Sequence, residues 1–477
     1  MNKLKYFVLA SLLIGGIMSC KKSQLELNPY NQKETSQAFK TEADVELAVR
    51  GMYSGLKNPY VSGTWNIMAD VLADNLITNP IGRGTLRSTS EWRYTGEDTY
   101  GELFADGYNI ARRANAILEN IDQFPAGSFK DNTKAQALAI RALIYFDMVR
   151  VFSKTYQNAS ATDSTMPYVT TTESTNLPAK ESVKGFYDKV IADLEAAKPL
   201  IGTTNGIYRF NKNSVSGLLS RVYLYKGDWA KTISSATEAL GSTPVVASRT
   251  DFPNIWTDAS NSGVLFKVNN TVQDNINSQG VNYYQTVGGQ KKSEFLVPKT
   301  VRQLFTATDI RTSTYIETSV YNGSNYNHVI KYAGRTGAVA GVVDAKVLRT
   351  AEVLLNRAEA YYRSGDETNA RNDLKTLKSN RYSSYDPTAD NALTGQALLD
   401  EILLQRRLEL AFEGDRFWDL KRRNLPVARD ATVGEKSDGS GTPYKFATLP
   451  VGDKRFQLPF PVDEVNFNPN FTQNPGY

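Results

Sequence analysis

The chain has 477 residues with 55 Lys or Arg against 50 Asp or Glu, a formal net charge of +5, one histidine and one cysteine. A single thiol excludes an internal disulfide, and one thiol with one histidine excludes a zinc site built from several such ligands, so neither a metal nor a cofactor is expected. The near-neutral balance carries no clustered basic face, which argues against nucleic acid as a partner, and Gly82-Arg83-Gly84 is too short for a dinucleotide fingerprint.

At the start of the chain, Lys3 and Lys5 precede an apolar run from Tyr6 to Ile17, the layout of an export signal. The run is shorter than the roughly 20 residues that a membrane span needs. Ile17-Met18-Ser19-Cys20 resembles a lipobox, which makes residues 1–19 a signal peptide and Cys20 the lipid-attachment residue. Removal of 1–19 takes away Lys3 and Lys5 and no acid, so the charge falls from +5 to +3. Residues 20–40 read as lipid anchor and extended polar lead-in, and residues 41–477 as a single globular domain.

Thr41 and Asp44 form a capping pair ahead of Val45, Ala48, Val49, Met52, Tyr53 and Leu56, which recur at helical spacing. Residues 58–101 lose that spacing and read as a loop-rich insertion. Helical spacing returns with Phe104, Tyr108, Ala111 and Leu118, with Asn115 on the same face, and again from Leu138 to Phe152. The turn Phe124-Pro125-Ala126-Gly127 joins the two as a hairpin. LLSRVYLYKGD (218–228) and LLNRAEAYYRSGD (354–366) then look like copies of one helix-turn-helix unit. Both place a tyrosine four residues before the glycine, and a small residue, Ser220 or Ala358, seven before it. This is tetratricopeptide logic, with glycine ending one helix and Asp228 or Asp366 capping the next. Helical repeats are thus expected within 103–240 and 346–423, with Gly414 ending one helix and Asp415 capping another. A second insertion, 244–343, is expected to consist of loops with a few hairpins, including a strand at 264–268.

Catalytic chemistry has few routes. A Ser-His-Asp relay has one possible base, His328, which lies in a Tyr- and Asn-rich loop and is expected to be exposed or hydrogen-bonded in a structural role. Glu409 and Glu413 alternate with Arg406, Arg416 and Arg422 at helical spacing, the mark of a charge network rather than of a paired-carboxylate acid and base. Lys421-Arg422-Arg423 is expected to be solvated. Recognition without chemistry remains: flat aromatic platforms for the C–H face of a sugar, beside groups that bond its hydroxyls. The candidate ligand residues are Trp65, Asp74, Trp92, Tyr94 and Tyr100 in the first insertion, and Trp256, Tyr283, Tyr284, Tyr321 and Tyr326 in the second. The two insertions are expected to converge on one face.

Four separated segments resemble the SusD/RagB family. They are LELNPYNQ with AFKTEADVELAVRGMYSGL; Phe104, Tyr108 and Ala114 to Leu118; RALIYFDMVRVFS; and the pair ILLQRRLELAFEGDRFWDLKRR and FQLPFPVDEVNFNPNFTQNPGY. Phe104, Ser153 and Gln405 stand where the family often has Trp, Gly and Glu. The resemblance spans residues 25–477. It implies a mostly α fold, a tetratricopeptide-like helical repeat scaffold with long irregular loops and short β-hairpin insertions. It also implies a lipoprotein of the outer membrane facing the cell exterior, not an enzyme, that binds complex glycans or oligosaccharides. The implied partner is a SusC-like TonB-dependent transporter, which receives the ligand. The RagB branch implies peptide as the alternative ligand, and a tetratricopeptide scaffold for protein partners is a further alternative.

Overall fold

A computed structural model describes residues 38–98, 100–274, 278–337 and 339–477. The chain divides into two units, Met1–Ala48 and Val49–Tyr477. The export segment and Cys20 lie outside the described residues. In the first unit the Asp44 N–H donates to Thr41 Oγ1 at 3.2 Å, and the Thr41 N–H donates to Asp44 Oδ2 at 3.0 Å. Helix Glu42–Gly55 therefore starts at the capping pair visible in the sequence.

In the second unit the helices pair in chain order. Helix Tyr100–Asn120 packs on Ser128–Phe152, which packs in turn on Val183–Ala197. Ser128–Phe152 is covered on nearly all faces, so the charges it carries inward need partners there. Arg141 forms two bonds of 2.7 Å to Asp193 and donates to Asn115 Oδ1 at 2.8 Å. Asn115 donates to the carbonyls of Val169 and Thr171, which ties a crossing loop to the helix pair.

The repeat is present in both places. Gly227 and Gly365 have φ of +81° and +89°, left-handed values that an L side chain resists. In the first hairpin the Gly227 N–H reaches the Leu224 carbonyl and the Asp228 N–H reaches that of Tyr223 at 3.0 Å. In the second, Gly365 reaches Tyr362 and Asp366 reaches Tyr361 at 2.8 Å, the same register. Asp228 and Asp366 then cap helices Trp229–Leu240 and Glu367–Ser379 by accepting from the N–H three residues on. The units are neighbours in space, since Trp229–Leu240 packs on Thr350–Arg363. Asn356 donates to Ser220 Oγ at 3.2 Å, and Arg221 forms two bonds of 2.6 Å to Glu352 between the first helices. The fold is mostly α on tetratricopeptide-like hairpins, as the spacing indicates.

Three expectations change. Residues Thr64–Leu72 form a helix inside the first insertion, short and without a solvated face, because Trp65, Ile67, Met68, Ala69, Val71 and Leu72 are buried and so are Asn66 and Asp70 on the remaining side. Arg429 closes its C-terminus by donating to the carbonyls of Val71, Leu72 and Ala73, which have no partner within the helix. Residues Ala345–Arg349 form a strand antiparallel to Val264–Val268, so the helix expected from Lys346 starts at Thr350. The last long helix, Gly395–Glu409, ends at Leu410 rather than at Gly414; Gly414 (φ +81°) instead turns the chain into Arg416–Arg422 at a point where a Cβ would lie 2.8 Å from Asn66 Cα. Asp415 makes no cap bond, because its carboxylate accepts from Arg406 at 3.1 Å instead.

The closing segment seals the scaffold. Asn474 donates to the carbonyls of Phe152 and Leu458 at 2.8 and 2.6 Å, and Gln473 both accepts from and donates to the Phe460 backbone at 2.8 Å. Phe460 and Phe471 pack on Phe104 and Phe152, so the QNPGY ending is a hydrogen-bonded plug over an aromatic cluster.

Candidate functional site at the meeting of the two insertions

The insertions, more than 150 residues apart in sequence, are joined backbone to backbone. Ile77–Thr78 pairs antiparallel with Phe295–Leu296, and the Asn79 N–H continues the ladder to the Glu294 carbonyl at 2.8 Å. Asn79 Nδ2 donates to the Ser293 carbonyl at 2.8 Å. The buried carboxylate of Glu294 accepts from the Arg83 N–H at 2.6 Å and from its Nε at 3.2 Å, which holds the first loop over the second. The Arg83 side chain is 54% exposed.

Two hairpins form the floor. Gln285–Val287 returns as Gln290–Lys292 through Gly288-Gly289, and Ile316–Tyr321 returns as Ser324–Val329 through Asn322-Gly323. All four turn residues have positive φ, which matches a two-residue turn to the strand twist. The Asn322 N–H donates to Gln290 Oε1 at 3.0 Å and links the hairpin tips.

Tyr284 stands between them, half-buried. Its hydroxyl donates to Glu317 Oε2 at 2.5 Å, Lys291 Nζ lies 4.1 Å from its ring centroid, and its ring meets His328 edge-on at 6.2 Å. Burial and then the Glu317 hydrogen bond push the tyrosine hydroxyl well above its usual range, so it stays neutral and donating. His328 is 1% exposed, hydrogen-bonds Ser293 Oγ through Nδ1 at 2.7 Å, and has no partner for Nε2 among the described residues. Burial pushes it down to about 4, with Glu317 opposing, so it is neutral at physiological pH. The hydroxyl on that imidazole, Ser293 Oγ, is itself fully buried and also bonds the Tyr283 carbonyl, so the pair is closed to a substrate; what the constellation offers is an aromatic face and hydrogen-bonding groups.

Most of the aromatic candidates are scaffold. Trp65 is 4% exposed and lines an internal cavity with Asp147 and Arg150, and Trp92, 3% exposed, donates Nε1 to the Leu72 carbonyl at 2.9 Å beneath Arg429, 4.0 Å from its ring. Tyr94 donates to the Arg455 carbonyl, and Trp256 and Tyr283 sit in a core cluster with Tyr315, Tyr332 and Phe412. Tyr326 is buried with Ile77 and Leu296. These rings lie inward because the insertions have their own core to fill, and a ring covered by protein presents no face to a ligand. Asp74 is held by Arg416 at 2.7 and 2.9 Å and by Arg407; burial raises its carboxyl, but the two arginines outweigh this and bring it to about 2. The Tyr100 side chain lies outside the described ones. Tyr284 and Tyr321 keep accessible surface. The sequence reading passed over Arg83, Gln290, Lys291, Glu317 and Asn322; the Gly-Gly and Asn-Gly turns were the signal that places them together.

Of the two carboxylates, Glu413 lines a small internal cavity and Glu409 is buried within an arginine network. Glu409 is fully covered and accepts from Arg349, Arg381 and Arg311. Burial raises its carboxyl, but Arg381 and Arg349 more than offset this and hold it well below the usual range. Lys421 and Arg422 are also buried, contrary to the expected solvated run, since Arg422 pairs with Glu359 and Asp419. Among the described residues no group of three or more His, Cys, Asp or Glu could hold a metal ion, and no helix is long and apolar enough to cross a membrane.

The SusD family profile matches residues 264–477, and a profile described as starch-binding associating with outer membrane matches residues 24–224. SusD-like protein P2 of Formosa agariphila is 26% identical over 99% of this chain and 100% of its own, and SusD-like protein P38 of the same organism is 22% identical over 88% and 91%. A putative sugar binding protein of Bacteroides vulgatus superposes with a TM-score of 0.81 at 25% identity, covering 92% of this chain and 99% of that one. A SusD superfamily protein of the same species does so with 0.80 at 26% identity, covering 92% and 100%. With its hairpin repeats, its QNPGY plug and these matches along nearly its whole length, the chain belongs to the SusD/RagB family.

Proposed function

We propose that the protein binds a glycan on the Tyr284 platform, without transforming it, and passes it to a SusC-like TonB-dependent transporter in the outer membrane. The observation that carries this reading is the join of the two insertions, which leaves Tyr284 and Tyr321 partly open beside Arg83, Gln290, Lys291 and Asn322. A half-exposed ring edged by amide and cationic donors suits a sugar, with its apolar face and hydroxyl rim. Similarity to a putative sugar binding protein supports the ligand class. The burial of Glu409 among arginines supports a binding role, because a general acid must keep a proton and reach its substrate. Cys20 would hold the protein to the membrane through its lipid, facing outward.

Glycan and peptide arrays probed with the soluble protein test the ligand class. Calorimetric titration of Tyr284→Ala with the glycan that binds should then show affinity weaker by about 1–3 kcal/mol with little change in melting temperature. Binding of peptides alone would replace glycan with the RagB-like ligand, and unaltered affinity in Tyr284→Ala would remove the platform.

A further inference from the structure

Away from that platform, a cleft of about 380 Å³ opens between the end of helix Ser128–Phe152, the end of Arg416–Arg422 and the closing segment. Its walls include Leu425 and Val451, both among the exposed large apolar residues, with Phe456 and Pro475. Two buried polar residues line it with hydrogen-bonding capacity unused. Lys421, 8% exposed, donates from Nζ to the Arg150 carbonyl at 2.6 Å, its one hydrogen bond among the described residues. Thr155, 5% exposed, has a covered Oγ1 with no partner among the described residues.

An ammonium has three donors, and among the described residues no carboxylate answers them; the Trp418 ring, its centroid 5.5 Å from Nζ, accepts no conventional hydrogen bond. Asp453, the acid lining the cleft, is held by its own Arg455 at 2.8 and 2.6 Å. The other charges nearby are cations with commitments elsewhere: Lys154 on Asp163 at 2.7 Å, Lys454 on the Gly476 carbonyl, and Arg150 on Asp147. The bond to Arg150 also serves to close the last turn of the long helix. A capping role accounts for one donor, not for a cation buried beside an open apolar cleft.

We propose that this cleft is a second ligand site, which takes a carboxylate carried on a compact apolar or sugar body, with Lys421 and Thr155 as its anchoring groups. The carboxylate supplies the charge that the buried ammonium lacks, and one of its oxygens can accept from Thr155. Leu425, Val451 and Phe456 cover the body of the ligand. The volume suits a single sugar ring or amino-acid residue, so the carboxylate can come from a uronic acid or from the C-terminus of a peptide. Burial and then Arg150 push Lys421 down to about 7, so binding an anion draws a proton onto it. Affinity should therefore fall as pH rises through about 7.

The test is calorimetric titration of the soluble protein with glucuronate, with N-acetyl-leucine and with glucose, at about pH 6 and about pH 9 in buffers of different ionisation enthalpy. Saturable binding of at least one acid at millimolar affinity, at least about tenfold weaker at the higher pH and with proton uptake near neutrality, is expected. Which acid binds identifies the source of the carboxylate. Lys421→Met should lose the binding, Thr155→Val should weaken it several-fold, and Tyr284→Ala should leave it unchanged. Glucose binding equal to glucuronate, no saturation by either acid up to roughly 10 mM, or full binding by Lys421→Met would overturn the proposal. If Lys421→Met does not fold, Thr155→Val and the pH dependence of the unaltered protein decide it.

Discussion

Replacing Glu409 by Gln keeps the shape of a fully buried side chain and removes the charge that three arginines share. Oε1 accepts from Arg349 at 2.8 Å and Arg381 at 2.9 Å, and Oε2 accepts from Arg381 at 2.8 Å and Arg311 at 3.5 Å. The three are not left equally exposed to the loss. Arg311 retains Asp309 at 2.9 Å, and Arg349 retains Glu413. Arg381, itself fully buried, keeps the carbonyls of Ala247 and Asn380 and the face of Phe252 at 3.9 Å but no other carboxylate among the described residues, so the damage concentrates on one guanidinium. Taking one partner out of a buried pair costs about 3–5 kcal/mol, and that figure, not three times it, is expected here. Urea unfolding of Glu409→Gln should show a lower midpoint at unchanged slope. Arg381→Met in the same chain should recover part of the loss, because the orphaned cation is then gone. A Glu409→Gln protein within about 0.5 kcal/mol of the original, or a double variant whose losses simply add, would refute this account of the network. Purified protein incubated with a bound glycan should leave its length distribution unchanged; cleavage abolished by Glu409→Gln would instead make the carboxylate catalytic.

Trp92→Ala should destabilise the protein by about 3–5 kcal/mol, because it empties a core position and unseats Arg429; a melting curve unchanged from the original would return Trp92 to the ligand surface. His328 is pushed from its usual value to about 4, so the unfolded chain takes its proton first: the stability this provides is complete above about 6.5 and is lost as pH falls through about 4. Subtracting the pH–stability curve of His328→Asn should reveal that acid-side loss of up to about 3 kcal/mol, and identical curves would show a histidine that titrates freely. Cys20→Ala should fractionate away from membranes and stop incorporating labelled fatty acid; retention with normal labelling would rule out this anchor.

The sequence by itself was enough for whatever depends on neighbours along the chain. The Thr41–Asp44 cap, the hairpin across Phe124-Pro125-Ala126-Gly127, the Gly-Asp repeats and strand Val264–Val268 are local hydrogen-bond and φ requirements, and they appear where the spacing puts them. The family resemblance was legible for a related reason: segments such as FEGDRFWDL and QNPGY carry turn, ion-pair and backbone-bonding duties that few other residues can meet. Burial was decided only in three dimensions. Trp92, Trp256 and Tyr283 have the composition of a sugar platform, yet each faces inward, because which side of an irregular loop is covered depends on segments hundreds of residues away. Helix Thr64–Leu72 escaped notice because it is short and its two polar residues on one face, Asn66 and Asp70, are buried as deeply as its apolar ones, so no solvated face marks the repeat. Arg429 reaching back to Val71, and Arg83 to Glu294, likewise follow from no local rule, because a long-range contact is chosen by the packing of whole elements and leaves no period in the chain.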